Sequence, residues 1–228
     1  MRLRTLEEII MPCSQCRGIE AFFDDNEARS ELKNYRKKGP RNTTRQLLNA
    51  IVERDPKDKT LLDIGGGVGA IQHELIKAGI RSAVSVDASS AYARVSLDET
   101  VVRGHADRLT HHLGDFVDLA DSIESADIVT LDRVICCYDD ASRLLERSTE
   151  RATRMLGLVY PRDGLPNRAA VWLLNLGLRI RRSDFRLFIH PNTLVTGILE
   201  GAGFRRVHLR KNLIWQVVLY ERIGSQRL

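Results

Sequence analysis

The chain has no apolar run near the ~20 residues that a membrane span requires, so no bilayer crossing is expected. AAVWLLNLGLRI (169–180) is nearly all apolar but stops after twelve residues. Nor is there an uninterrupted apolar core at the start: in MRLRTLEEII, Glu7 and Glu8 break what a secretory signal needs, which points to the cytoplasm. The four cysteines are too few and too clustered, as Cys13/Cys16 and Cys136/Cys137, for a secreted disulfide framework. There is no internal repeat and no low-complexity segment. What is present is ordinary for a globular protein, 43% hydrophobic and 29% charged residues in 228. That length suits one α/β domain with an extension. The net charge of +5 comes mostly from arginine, dense in RIRRSDFR (179–186) and FRRVHLRK (204–211). Such clusters attract an acidic substrate, a nucleic acid or a membrane surface unless they are simply a solvated face.

Along the chain, DDNEARSELKNYRKK (24–38) reads as a helix, with an acidic start, a basic end and Gly39-Pro40 as its stop. TTRQLLNAIVER (43–54) is a second helix, with Leu47, Leu48 and Ile51 on one face. Strands and helices then alternate. Strands are expected at 60–64, 83–86, 109–113, 126–131 and 156–160, with helices at 68–78, through about 102, and at 141–154. Strands separated by helices imply a parallel sheet covered on both faces, with ligands beyond the strands' carboxyl ends. After a helix at 192–202, the runs 204–209 and 213–221 are too close for a parallel crossover, so they form an antiparallel pair. The fold expected is α/β, a Rossmann-like doubly wound, mostly parallel seven-stranded sheet with a C-terminal antiparallel hairpin and an N-terminal helical extension. Residues 1–42 form the extension, or lid, and 43–228 the main domain.

LLDIGGGVGA (61–70) fits the loose dinucleotide pattern G-x-G-x-x-G/A. Gly65, Gly67 and Gly69 let a strand-to-helix turn run close to a ligand, which serves several nucleoside cofactors equally. Asp63, at the mouth of the strand, would repel a pyrophosphate approaching the next helix and attract a cation. Asp87 ends the second strand, where a carboxylate accepts both ribose hydroxyls. Gly114-Asp115-Phe116 ends the third, offering an acceptor for an adenine amino group and a ring to lie on the base.

DIGGGVG (63–69), VDAS (86–89), GDF (114–116), ADIVTLDRVICCY (126–138) and GAGF (201–204) before the hairpin resemble, in order and spacing, the class I S-adenosylmethionine-dependent methyltransferases over residues 43–222. The resemblance implies S-adenosyl-L-methionine as cofactor, with its binding roles on Gly65, Gly67, Gly69, Asp87 and Asp115; Asp63, Ala88, Phe116 and Asp132 are further candidates to hold it. An NAD-binding domain with the same loop is the competing reading, opposed by Asp63 and the hairpin. Within the family the chain is loosely similar to the small-molecule O-methyltransferases that act on magnesium-protoporphyrin. It departs from them at LDRVICCYDD, where cysteines stand in place of a histidine, and neither a catalytic residue nor the porphyrin is carried over.

Methyl transfer from a sulfonium is an in-line displacement in which alignment does most of the work, on the order of 7–11 kcal/mol. A general base adds roughly 10²–10⁴-fold, and only where the acceptor loses a proton. His190, in FRLFIHP (185–191), is the foremost candidate base, since imidazole titrates near neutrality. Asp132 and Arg133, beyond the fourth strand, either orient a substrate or pair with each other. Arg162, beyond the fifth, is a candidate anchor for a substrate carboxylate. His105, His111 and His112 fall away from the ligand edge. Tyr35, Arg36, Lys37 and Lys38 belong either to a lid over the cofactor or to a solvated helix end. Four thiols are enough for a zinc site, but adjacent cysteines are awkward ligands for one metal. No metal is expected; Cys136 is read as a buried small hydrophobe and Cys137 as lining the pocket. The 169–180 segment walls a greasy pocket, touches a membrane surface or packs in the core. The expected activity is methylation of a small, apolar or amphipathic molecule. The alternatives are RNA methylation, disfavoured because no RNA-binding module or aromatic-rich basic strand is present, and non-catalytic binding of the cofactor. The sequence says nothing of oligomeric state.

Overall fold

The structure, a computed structural model, describes residues 14–224, and for residues 14–16 the backbone alone. Cys13 lies outside the described residues, and with it half of the four-thiol reading. Two helices, α1 (Ser14–Phe22) and α2 (Asp25–Lys38), precede α3 (Asn42–Val52). Asp24 caps α2 by accepting from the amides of Asn26 and Glu27, which fixes the start expected from its acidic first turn. The alternating part follows as β1 (Thr60–Ile64), α4 (Ala70–Lys77), β2 (Ser82–Asp87), α5 (Ser90–Val102), β3 (Leu109–Leu113), α6 (Phe116–Leu119) and β4 (Ala126–Asp132). Then come α7 (Ala141–Arg151), β5 (Ala152–Pro161), α8 (Leu165–Ile180), α9 (Asn192–Gly201), β6 (Phe204–Lys211) and β7 (Trp215–Arg222).

The sheet order is β3-β2-β1-β4-β5-β7-β6, with β1 to β5 parallel and β7 antiparallel to both β5 and β6. The strand order reverses between β1 and β4, which opens a crevice at their carboxyl ends. Alternation along the strands divides the core between the two faces. Leu61, Ala83, Ile128, Met155 and Leu219 pack with Leu47 and Ile51 of α3 and Leu75 of α4. Leu62, Val86, Val129, Leu156 and Tyr220 pack with Phe116, Leu144 and Leu199 on the other side.

Some boundaries differ from expectation. The helix read as 141–154 ends at Arg151, because the Arg222 guanidinium, reaching over from β7, donates to the carbonyls of Thr149 and Ala152 at 2.9 Å each. That cap ends the helix three residues early and lets β5 begin four residues earlier than expected. The 169–180 segment belongs to α8, which has no buried residue at all. The core-packing alternative for it is therefore wrong.

Candidate active site

The turn after β1 is shaped by what lies beneath it. Gly65, Gly67 and Gly69 have φ of 65°, 56° and 83°, a region that a side chain reaches only at a cost. A Cβ on Gly65 would lie 2.4 Å from Val134 Cγ2. Register explains the polar atoms below: Asp63 pairs with Ser85 on β2 and with Thr130 on β4, so three polar side chains share one row on one face. Thr130 Oγ1 donates to Asp63 at 2.6 Å, and Gln72 Nε2 of α4 donates to Asp63 at 2.9 Å and to Ser85 Oγ at 3.0 Å.

Asp63, expected at the mouth of the site, lines the cavity from its floor and is almost fully buried. Burial pushes its carboxyl up to about 7, against the two hydrogen bonds and with help from the Asp132 and Asp87 charges. So raised, the carboxyl holds its proton to higher pH than a free aspartate does, which weakens its expected repulsion of a pyrophosphate.

Asp87 lies at the tip of β2 and lines the cavity. Its Oδ2 accepts the Gly67 amide at 2.9 Å and its Oδ1 the Ser89 amide at 2.8 Å. Each oxygen so retains acceptor capacity. Burial raises this carboxyl to about 6, opposed by those two amides. Asp115 caps α6 by accepting the Val117 amide at 2.9 Å, and its other oxygen takes the Tyr138 hydroxyl at 2.8 Å. It borders a small pocket of about 50 Å³ with Phe116, Val134, Cys137, Tyr138 and Leu144. This pocket shares the walls Ile19, Gly65, Ala88, Val134 and Cys137 with the main cavity.

The main cavity, about 780 Å³, extends from the glycine turn and Ala88 to Asp132, Arg133, Leu187 and Trp215, a size suited to a small-molecule site. Asp132 Oδ2 accepts from Thr44 Oγ1 of α3, while Oδ1 meets the Arg133 guanidinium at 3.5 Å and has no hydrogen-bond partner. Burial raises the Asp132 carboxyl, opposed by Arg133 and Thr44. The contact expected between Asp132 and Arg133 is thus present, and the Arg133 guanidinium also lies 5.2 Å from the Trp215 ring centre.

Two of the expected catalytic residues are elsewhere. His190 Nε2 approaches the carbonyls of Tyr138 at 2.9 Å and Ile135 at 3.1 Å. Two acceptors around one nitrogen make it a donor, so His190 ties the 188–190 segment to the turn after β4 and does not line the cavity. Arg162 donates from Nη1 to the Asn212 carbonyl at 2.9 Å, bracing the β6–β7 turn, and is also absent from the wall. Cys136 is buried, and Cys137 lines both spaces.

The remaining wall belongs to the N-terminal helices: Ile19, Phe23, Glu27, Glu31, Tyr35 and Lys38 all face the cavity. Polar bonds hold these helices against α4 and α5. Glu31 accepts the Tyr92 hydroxyl at 2.9 Å, Tyr35 donates to Glu74 at 2.8 Å and Arg36 Nε to Glu99 at 2.9 Å. At α1, Phe22 stacks on Phe185 at 4.4 Å, and Gly18 is so close that a Cβ would lie 2.4 Å from the Phe185 amide nitrogen. Tyr35 is accordingly buried and not part of a solvated helix end, whereas Arg36 is exposed but paired with Glu99. Gln72, Thr130, Thr44, Glu31, Tyr138 and Trp215 had carried no local signal of a role, since each acts on a partner distant in sequence. Only Tyr138, inside the quoted LDRVICCY, was within reach.

A model of the O-methyltransferase domain matches residues 18–160. A curated relative, the 3-amino-4-hydroxybenzoate 4-O-methyltransferase of Streptomyces cremeus, is 32% identical over 87 residues, covering 38% of this chain. The match spans only 23% of that relative's length. Magnesium protoporphyrin IX methyltransferase from Synechocystis PCC 6803, solved with bound SAH, superposes with a TM-score of 0.70 at 18% identity, covering 91% of this chain and 99% of that one. A putative RNA methyltransferase from Pyrococcus horikoshii superposes at 0.60 and 13% identity, covering 83% and 86%. At such identities these structures show a shared fold. With the family model covering more than half of its length, the chain belongs to the O-methyltransferase domain family.

Proposed function

We propose that the protein is an S-adenosyl-L-methionine-dependent methyltransferase of the cytoplasm, acting on a small apolar or amphipathic acceptor. The observation that supports this best is the pairing of Asp87, whose two oxygens keep acceptor capacity toward the cavity, with a side-chain-free turn beside it. The residues fit the cofactor. Gly65 and Gly67 give its amino-acid end a close approach, Asp87 and Ala88 flank the ribose, and the pocket bordered by Asp115, Phe116 and Tyr138 takes the base. When bound, the cofactor supplies a methyl group on a positively charged sulfur.

What this chain adds is arrangement. Ile19, Phe23, Leu187 and Trp215 exclude water from the cavity and favour an apolar acceptor. Asp132, with its Oδ1 lacking a hydrogen-bond partner, orients an acceptor hydroxyl and takes its proton. Its raised proton affinity suits that role. The described part of residues 1–42 acts as a lid, which is consistent with Phe23, Glu31 and Lys38 lying on the cavity wall.

Titration calorimetry with S-adenosylmethionine and S-adenosylhomocysteine tests the reading. Both should bind the native chain, and Asp87→Ala should weaken both at least tenfold, about 1.4 kcal/mol. No heat with either compound, in folded protein, would refute it. A screen of phenolic and carboxylic acceptors, comparing the native chain with Asp132→Asn, then tests the base.

A further inference from the structure

Helix α8 is amphipathic the wrong way round for a helix on a protein body. Its amides point inward: Asn175 Nδ2 donates to the Leu187 carbonyl at 2.8 Å and its Oδ1 accepts the Leu187 amide at 2.9 Å. One face further along, Asn167 donates to the Arg162 carbonyl at 2.9 Å. The opposite face, at the helical spacing 165, 169, 172, 173, 176, 180, is apolar and uncovered. Leu165 is 84% exposed, Trp172 64%, Leu173 60% and Ile180 76%. Asn167 also approaches the Ile214 carbonyl. That places the β6–β7 turn, with Leu213 84% exposed, beside the start of the helix and extends the patch. A monomeric protein rarely leaves so continuous an apolar surface to water.

The charges around the patch identify what covers it. No acidic residue occurs in α8, whereas Arg168 and Arg179 flank the stripe and Arg181 and Arg182 follow it. Arg168 is paired with Asp163; Arg179, Arg181 and Arg182 have no acidic partner among the described residues. An apolar stripe bordered by unpaired arginines complements an anionic lipid surface, with the helix lying in the interface plane. A second copy of the chain fits less well. Self-docking through this helix would bring two basic borders together with no helix carboxylate to meet them.

We propose that α8, with the Leu213–Ile214 turn, docks the protein on membranes containing anionic lipids. At sixteen residues, the helix is long enough to lie in an interface and too short to span. The inward face of the helix, opposite the docked one, borders the cavity, since Asn175 holds Leu187 and Ile214 precedes Trp215, both of them cavity walls. The inference stands apart from the reading of the cavity, because docking is measured without cofactor or acceptor.

The test is co-sedimentation of the full chain with vesicles of phosphatidylcholine alone or with roughly a third phosphatidylglycerol. Tryptophan fluorescence with bromine-labelled acyl chains gives a second signal. Binding is expected on the anionic vesicles, at least tenfold weaker on the neutral ones and weakened by salt. Replacing Arg179, Arg181 and Arg182 by Gln should cost roughly a hundredfold, at about 1 kcal/mol per basic residue near the surface. The double change Leu173→Glu, Leu176→Glu alters two exposed positions, so it should keep the native urea midpoint, abolish sedimentation and remove the quenching of Trp172. Absence of binding, or equal binding to both vesicles, overturns the proposal. So does a concentration-dependent dimer, seen by sedimentation velocity and abolished by the same double change, in protein that ignores vesicles.

Discussion

Replacing Asp63 by Asn should stabilise the protein, and by more as the pH rises. In the fold, burial lifts this carboxyl from 3.8 to about 7. The folded state thus holds the proton more tightly than the unfolded chain does. Its favourable contribution is complete below about pH 4 and is lost as the pH climbs to about 7, where it levels off. At ~1.4 kcal/mol per pKa unit, ionising the folded carboxyl costs ~4 kcal/mol in all. Of this, about 2 kcal/mol enters between about pH 5 and pH 7. Asn does not titrate, and Gln72 Oε1, buried without a hydrogen-bond partner, offers the new amide an acceptor once the Gln72 amide turns over. Urea unfolding of both chains across that range reads the difference directly. The variant's advantage should widen by about 2 kcal/mol between about pH 5 and pH 7 and flatten above about pH 8. An advantage independent of pH would refute the argument, because the native carboxyl would then titrate in the fold as it does in water. Cofactor binding gives a second readout. If the residual charge of Asp63 acts on a cation above it, S-adenosylmethionine should lose more affinity than uncharged-sulfur S-adenosylhomocysteine, and equal losses would leave Asp63 a structural acid.

Gly65→Ala forces a Cβ to 2.4 Å from Val134 at a φ of 65°; it should cost about 1–3 kcal/mol of stability and, in calorimetry, at least tenfold in cofactor affinity. His190→Ala should lower the urea-derived stability by about 1–2 kcal/mol through its lost carbonyl contacts while leaving the pH profile of turnover in place; loss of an ionisation from that profile would restore His190 as a base. Gly18→Ala places a Cβ against the Phe185 backbone, where no side chain can yield. Because α1 must shift off that backbone, S-adenosylhomocysteine should dissociate roughly tenfold faster in stopped-flow traces (about 1.4 kcal/mol) in protein that still unfolds cooperatively in urea, and an unaltered rate would argue against a lid.

What was legible in the sequence was whatever repeats locally. The strands β1 and β3 were read to the residue, because each is a short run bounded by turn residues with a helix next in line. The terminal hairpin followed from connection length alone. The fate of the catalytic candidates was not legible, for a physical reason. His190 was read as a base beside a proline-started helix, but its direction is set by carbonyls 52 and 55 residues away. Arg162 is held by a carbonyl 50 residues away. Likewise the Thr44 hydroxyl that fixes Asp132 lies 88 positions upstream, in a helix whose visible signal was its apolar face. For Tyr35 a lid and a solvated helix end both stayed open, because charge and amphipathicity describe a helix in isolation, and α2 has a second face that packs on α5.

The four carboxylates at the sheet tips look equivalent in the sequence, and their neighbours make them different. Asp63 receives one side-chain donor on each oxygen and is almost fully buried at the cavity floor, so it is held for its shape and for a charge that depends on pH. Asp87 receives two backbone amides, donors that cannot rotate away, and they belong to the turn and helix cap on either side of it. Those amides fix the carboxylate's plane before a ligand arrives, which is preorganisation of the kind that favours binding. Asp115 divides its oxygens between a helix cap and Tyr138, coupling the base pocket to the turn after β4. Asp132 has one oxygen on Thr44 and the other facing a guanidinium beyond hydrogen-bonding range. Of the four, it is the acid whose hydrogen bonding is least complete, and its neighbour Arg133 lies against Trp215. Incomplete hydrogen bonding of a buried carboxylate is costly, and an acceptor hydroxyl donating to Oδ1 would relieve that cost. On this ground we propose Asp132, rather than His190, as the group that takes a proton in this cavity.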